Sequence, residues 1–214
     1  MKTMRPTKGV LWGLLALALV TPLFVASGGP AAPYKRAEWG GWTTEGCRDT
    51  RTQVLVRDAE PGTILWRDGE GEGSNSSKEC EVAYGRWIDP YTGAVISDPS
   101  RIDVDHMVPL KNAHESGGWR WSRERKRAYA NDLNYRNHLR ATLGSVNRAK
   151  GDKGPDRWRP PKREAWCAYS LAYGAIKFRW GLSGTEAERL AVGEMMKTCG
   201  NPDALTIFDA APGS

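Results

Sequence analysis

The residues of this chain best suited to chemistry lie in two short stretches. Asp103-Val104-Asp105-His106-Met107-Val108-Pro109-Leu110 sets a carboxylate directly before an imidazole. Asn147-Arg148-Ala149-Lys150-Gly151-Asp152 offers a metal-capable amide with two basic groups close by. Phosphodiester hydrolysis needs an activated water, neutralisation of the scissile phosphate and relief of charge on the leaving oxygen. A histidine accepts a proton from water near neutral pH because its pKa lies near that range. A hard divalent cation can bind the phosphate and leaving oxygens together, and Asp105 and Asn147 carry oxygen donors suited to it.

These groups must be brought together by the elements that carry them. Ile102 to His106 reads as a strand, and adjacent strand residues point to opposite faces. Asp105 and His106 can share a site only if the strand ends or kinks there, and Pro109 is compatible with that. Ser122 is placed to cap a short helix to about Ala130, ended by Asn131-Asp132. His138 to Thr142 reads as a strand, and Ser145 as the cap of a helix carrying Asn147 and Lys150. Upstream, Thr52 to Arg57 and Glu81 to Ile88 read as strands, the second closed by the turn sequence Asp89-Pro90-Tyr91-Thr92-Gly93. Asp68 to Ser77 reads as a loop. Downstream, Arg163 to Trp180 and Thr185 to Cys199 read as a helical hairpin about Gly181-Leu182-Ser183-Gly184. Ser183 or Thr185 would cap its second helix, with Glu186 or Glu188 completing a capping box, and Gly200 would close it.

The chain has 214 residues, 40% hydrophobic, with 10 Trp, enough for a real core. Lys2, Arg5 and Lys8, then the apolar run Val10 to Ala26 and the small residues before Gly28, read as a secretory signal peptide over 1–27. A retained membrane anchor is the weaker reading, because Pro22 interrupts a run already short for a bilayer. Residues 28–42 read as a linker, 43–200 as the folded domain, with its chemical core about 101–152, and 201–214 as a loose tail. Cys47, Cys80, Cys167 and Cys199 have no CxxC spacing, which argues against structural zinc. An even count in an exported chain points to two disulfides. The helical hairpin would bring Cys167 beside Cys199, leaving Cys47 with Cys80. The formal charge of +6 falls to +3 without the three basic residues at the start. Arg101 to Arg163 alone carries 16 basic and 7 acidic residues. A basic centre suits a polyanionic substrate, although a solvated helix face would also show it.

Asp103 to Leu110, Ser116-Gly117, Trp121-Ser122, Tyr129-Ala130-Asn131-Asp132, His138-Leu139, Asn147 to Asp152 and Trp158-Arg159-Pro160-Pro161 together resemble HNH endonucleases of the His-Me finger (ββα-metal) superfamily. So do Gly85 to Gly93 and the two cysteine-bearing helices. The likeness, from about Gly41 to Cys199, is to a secreted branch in bacteria and fungi related to the C-terminal nuclease domain of GmrSD-type restriction enzymes. It implies an α+β fold: a ββα-metal core, N-terminal β-strands and a C-terminal disulfide-linked helical hairpin. It implies His106 as general base, with one divalent ion on Asp105 and Asn147, Mg²⁺ first and Mn²⁺ or Zn²⁺ next. It puts His138 in the middle position that orients the base, or Asn137 with a one-residue shift. Arg148 and Lys150, with Lys111, fit nucleic-acid contacts.

The expected activity is thus secreted, metal-dependent hydrolysis of DNA, with RNA also open, by a monomer with no lasting membrane association. No helix-turn-helix or zinc finger is present to read sequence. The alternative is a secreted nucleic-acid-binding protein with an inactive finger. A zinc-dependent envelope hydrolase using Asp103, Asp105 and a histidine stands third, without an HExxH motif. Bland readings stand beside these: Asn147 as a helix cap, His138 as a packed histidine, Asp103 as a solvent-facing strand residue. His114 is expected outside the site. Trp119, Trp121 and Trp158 could stack on bases, with core packing the better reading for at least two.

Overall fold

The computed structural model describes residues 32–67 and 80–200. The signal-peptide stretch, the Asp68–Ser77 loop and the tail from Asn201 lie outside the described residues. Two-residue strands β1 (Thr44–Glu45) and β2 (Arg48–Asp49) form a hairpin that leads into α1 (Thr50–Asp58). This corrects the strand expected over Thr52 to Arg57. Asp49 caps the helix by accepting from the Thr52 amide at 2.8 Å, and Thr50, Val54 and Leu55 are buried at helical spacing. The run Val54-Leu55-Val56 is too short for periodicity alone to separate helix from strand.

The second expected strand is two. β3 (Leu65–Trp66) pairs with β4 (Val82–Tyr84), whereas β5 (Trp87–Ile88) pairs with β6 (Val95–Ile96) across the Asp89–Gly93 turn. The chain changes partner at Gly85, where a Cβ would stand 2.4 Å from the Trp87 indole. Only glycine lets the backbone pass over that buried ring.

β7 (Ile102–His106) pairs antiparallel with β8 (Leu139–Leu143), His106 opposite Leu139 and Ile102 opposite Leu143. Between them lie α2 (Leu110–Glu115) and α3 (Arg123–Ala130), the latter capped by Ser122 and ending at Asn131 as expected. α4 (Gly144–Lys150) follows β8 directly. Its N-cap is Leu143, so Ser145 lies inside the helix and is not its cap. Gly144 allows the helix to start hard against β7, since a Cβ there would meet Arg148 at 2.9 Å and Asp103 at 3.2 Å.

α5 (Trp166–Trp180) and α6 (Glu186–Met196) make the C-terminal hairpin. Thr185 and Glu188 form the capping box of α6. Cys167–Cys199 ties the two helices, and Cys47–Cys80 ties the first hairpin to the segment before β4. Replacing Cys167 with serine is expected to cost about 2–5 kcal/mol, read as a lower thermal midpoint. Among the described residues no helix is long and apolar enough to cross a membrane.

Two apolar clusters flank β7. One, with Val54, Trp66, Trp87, Val104 and Leu139, packs α1 against the β7–β8 ladder. The other, with Trp39, Tyr91, Tyr129, Tyr169 and Tyr173, fills the space among α2, α3, α5 and α6. The described part of the expected linker belongs to this second core. Trp39 is fully buried and sets its ring edge-on to Tyr129 at 5.5 Å. An indole that large stabilises the fold by leaving water, so residues 32–42 form a strap pinned by Trp39 and Tyr34 on this core and by Trp42 on the other.

Candidate active site

β7 ends where the two cores meet, and its last residues line an open cleft of about 490 Å³. Asp105 and His106 both reach it, as do Lys111 from α2 and Asn147 and Arg148 from α4. The remaining wall includes Tyr34 and Arg36 from the strap, and Asp152.

His106 is fixed by the end of α3. The last carbonyls of a helix lack partners within it, and two of them take histidines here. His106 Nε2 donates to the Ala130 carbonyl at 2.9 Å, and His138 Nε2 donates to the Tyr129 carbonyl at 2.7 Å. The His106 ring lies nearly parallel to Trp42 at 5.5 Å and to Tyr129 at 6.4 Å. With Nε2 carrying the hydrogen, Nδ1 keeps its lone pair, and among the described residues it makes no hydrogen bond. Burial pushes the imidazole down to about 3, helped by His138, Arg36 and Lys150 and opposed by the bond to Ala130. The ring is therefore neutral at neutral pH, with the Nδ1 lone pair free to accept a proton.

His138 is buried with its ring edge-on to His106 at 6.2 Å. Burial lowers it to about 4, against the pull of Asp132, whose carboxylate is 4.0 Å from Nδ1. Asn137 instead accepts from Arg140 at 2.9 Å. Of the two readings for the middle position, His138 is the one in contact with the imidazole. His114 is buried and bonds the Ala32 carbonyl at 2.6 Å, outside the cleft.

Lys150 departs from its expected role, and Asp105 takes on a second one. Lys150 is wholly buried, and its Nζ donates to both Asp105 oxygens, at 2.7 and 2.8 Å, and to the His106 carbonyl at 2.8 Å. Tyr91 Oη donates to the same carboxylate at 2.5 Å. Burial pushes Asp105 up and Lys150 down, each against the pull of the other. Lys150 cannot touch a phosphate from there, whereas Asp105 Oδ1, with its one bond from Lys150, keeps a lone pair. The pair also braces α4 against β7. Asn147 lies one turn earlier, its Nδ2 donating to Asp103 at 3.2 Å. That leaves Oδ1 as the open amide atom, without a hydrogen bond among the described residues. A cation could take Asn147 Oδ1 and the remaining lone pair of Asp105 Oδ1, since Mg²⁺ is usually bound through one or two carboxylates with the rest from water and phosphate. Among the described residues no group of three His, Cys, Asp or Glu gathers around a common point.

Arg148 keeps an exposed guanidinium 3.6 Å from Asp103, and Lys111 pairs with Asp152 at 2.6 Å. Arg36 was not foreseen. Its guanidinium bonds the Gly40 carbonyl at 2.5 Å and, among the described residues, has no carboxylate partner. Trp42, Tyr34 and Tyr91 were also missed as parts of the site. The density of Tyr34, Trp39 and Trp42 within a Gly-, Pro- and Ala-rich stretch was the available signal against a linker. Trp121 and Trp158 pack on the second core, whereas Trp119 lies under the Arg120 guanidinium.

The molecule is a mixed α/β protein of small antiparallel ladders, with its C-terminal helices disulfide-linked and an imidazole and an amide facing a basic cleft. The chain is 38% identical over 185 residues to an uncharacterized secreted protein of Arthroderma benhamiae, across 86% of this chain and 84% of that one, and belongs to its family. No family model matches the chain, and no solved structure matches it.

Proposed function

We propose that the protein is a secreted endonuclease of the His-Me finger type, with β7, β8 and α4 as its ββα unit. It hydrolyses phosphodiester bonds of DNA with little sequence preference, and RNA is the second substrate to test. The observation that carries this reading is the anchored imidazole: His106 Nε2 held on the Ala130 carbonyl, with the Nδ1 lone pair free beside the cleft. Export is supported by the charged and apolar start of the chain and by its secreted relative.

In this mechanism His106 Nδ1 takes a proton from the attacking water. The Nε2–H bond to Ala130 strengthens as the ring becomes cationic, since the end of a helix carries partial negative charge. Arg36, Arg148 and Lys111 draw the polyanion into the cleft and hold its phosphates. Asn147 Oδ1 would hold a divalent cation, which when bound polarises the phosphate and relieves charge on the leaving oxygen. Asp105 and Lys150 take no part in proton transfer; they fix α4, and so Asn147, against the strand that ends in His106.

The direct test is degradation of plasmid DNA and of RNA after chelation, with Mg²⁺, Mn²⁺ or Zn²⁺ added back. Cutting restored by a metal supports the reading. Retardation of DNA on a gel without cutting under any of the three metals would leave a nucleic-acid-binding protein. Arg36→Ala is expected to lower kcat/KM by about tenfold to a hundredfold, the worth of one charge-assisted contact. It should also raise the acid pKa of the activity profile, because Arg36 is one of the groups that depress His106.

A further inference from the structure

A second hollow, of about 360 Å³, lies between α3 and the end of α5 and shares no lining residue with the cleft. Arg125, Arg179, Trp180, Asn134 and Asp132 line it. Both arginines are exposed, and among the described residues neither forms an ion pair. Each is nonetheless held in place by aromatic rings. The Arg125 guanidinium sits 5.0 Å from the Trp121 ring centre and donates to the Trp180 carbonyl at 3.3 Å. Arg179 lies 5.4 Å from the Tyr135 ring centre. Guanidinium groups parked on rings lose less freedom on binding an anion, and their planar forks match phosphate oxygens. The acid lining the hollow forms no ion pair with either of them among the described residues. Asp132 is buried, with its oxygens taken by the Trp180 indole and the Asn134 amide.

The hollow is close to the proposed chemistry. Arg125 stands five positions before Ala130 on α3, about 7.5 Å along the axis at the usual rise. His138 separates the two places, with its ring 6.2 Å from that of His106 and its Nδ1 4.0 Å from Asp132. His138 between them is buried, so a strand with its scissile phosphate at His106 would reach Arg125 and Arg179 by running around the end of α3.

Resting on the nuclease reading, we propose that this hollow is a backbone subsite: Arg125 and Arg179 grip a phosphodiester of the same strand outside the cleft. The ligand class is a single-stranded polynucleotide longer than the cleft itself, with Arg–phosphate contacts supplying affinity and no base readout.

Binding is measured by fluorescence anisotropy with labelled single strands, using His106→Ala protein so that nothing is cut. Arg125→Ala with Arg179→Ala should weaken a dodecanucleotide about tenfold or more, yet weaken a dinucleotide less than twofold. The slope of log affinity against log salt for the longer strand should fall by about 1.4, at roughly 0.7 per single-strand phosphate. The double Arg→Lys variant should recover the slope, which separates lost charge from a damaged fold. Equal losses for both lengths, or none for either, would overturn the subsite. If the wild type never cuts but the length-dependent loss persists, the nuclease reading fails and the subsite stands.

Discussion

His106→Ala is expected to lower nucleic-acid hydrolysis by about 10²–10⁴-fold, the usual contribution of a positioned general base. Binding of an uncut strand should persist, because the arginines and lysine around the cleft are untouched. The pH profile of the wild type provides the sharper readout. A base must be neutral to act, and burial has moved His106 from its ordinary value down to about 3. Activity should therefore hold steady from pH 8 to about pH 5, with no loss near 6.5, where a solvated imidazole titrates. Trp42→Ala should move that limit upward by letting water reach the ring. Full activity in His106→Ala would remove His106 from the mechanism, whereas an acid limb centred near 6.5 in the wild type would mean only that water from the cleft already reaches the ring.

The strand–helix order around this site was legible because each piece carries a local signal. Ile102 to His106 alternates in pattern, Ser122 and Asn131 bracket α3, and the helical hairpin places Cys167 beside Cys199. α1 was not legible as a helix because its apolar run is short and Val54 and Val56 are β-branched, and its deciding feature, the Asp49 cap, is a single residue. The strap was hidden by composition: Gly, Pro and Ala around 28–42 suggest a linker, whereas Trp39 finds its pocket only once α3 is folded. The hardest case is Asp105 with Lys150. In sequence they are separate charges, one placed as a metal ligand and the other as a phosphate contact. Nothing local reveals that they neutralise each other, since the pairing spans 45 positions and exists only when α4 folds onto β7.

That pairing gives the largest expected effect on stability. Lys150→Met removes an ammonium with 0% exposure and leaves Asp105 buried with only Tyr91 as a donor. Breaking a buried ion pair from one side typically costs about 3–5 kcal/mol, a substantial part of the stability of a domain this size. The pH dependence has a definite sign. Without Lys150, burial raises the Asp105 carboxyl in the folded state further above its unfolded value of about 3.9. Below that value Asp105 is protonated in both states and the charge penalty vanishes; it grows as pH rises and levels off above the folded pKa. Thermal unfolding of Lys150→Met against wild type should therefore diverge with rising pH. Adding Asp105→Leu should recover much of the loss, since replacing both partners with apolar groups avoids the stranded charge. The same experiment in chelator separates a brace from a ligand. A brace is lost with or without metal, whereas an Asp105 that served mainly to bind the cation would leave the chelated Lys150→Met protein as stable as the chelated wild type.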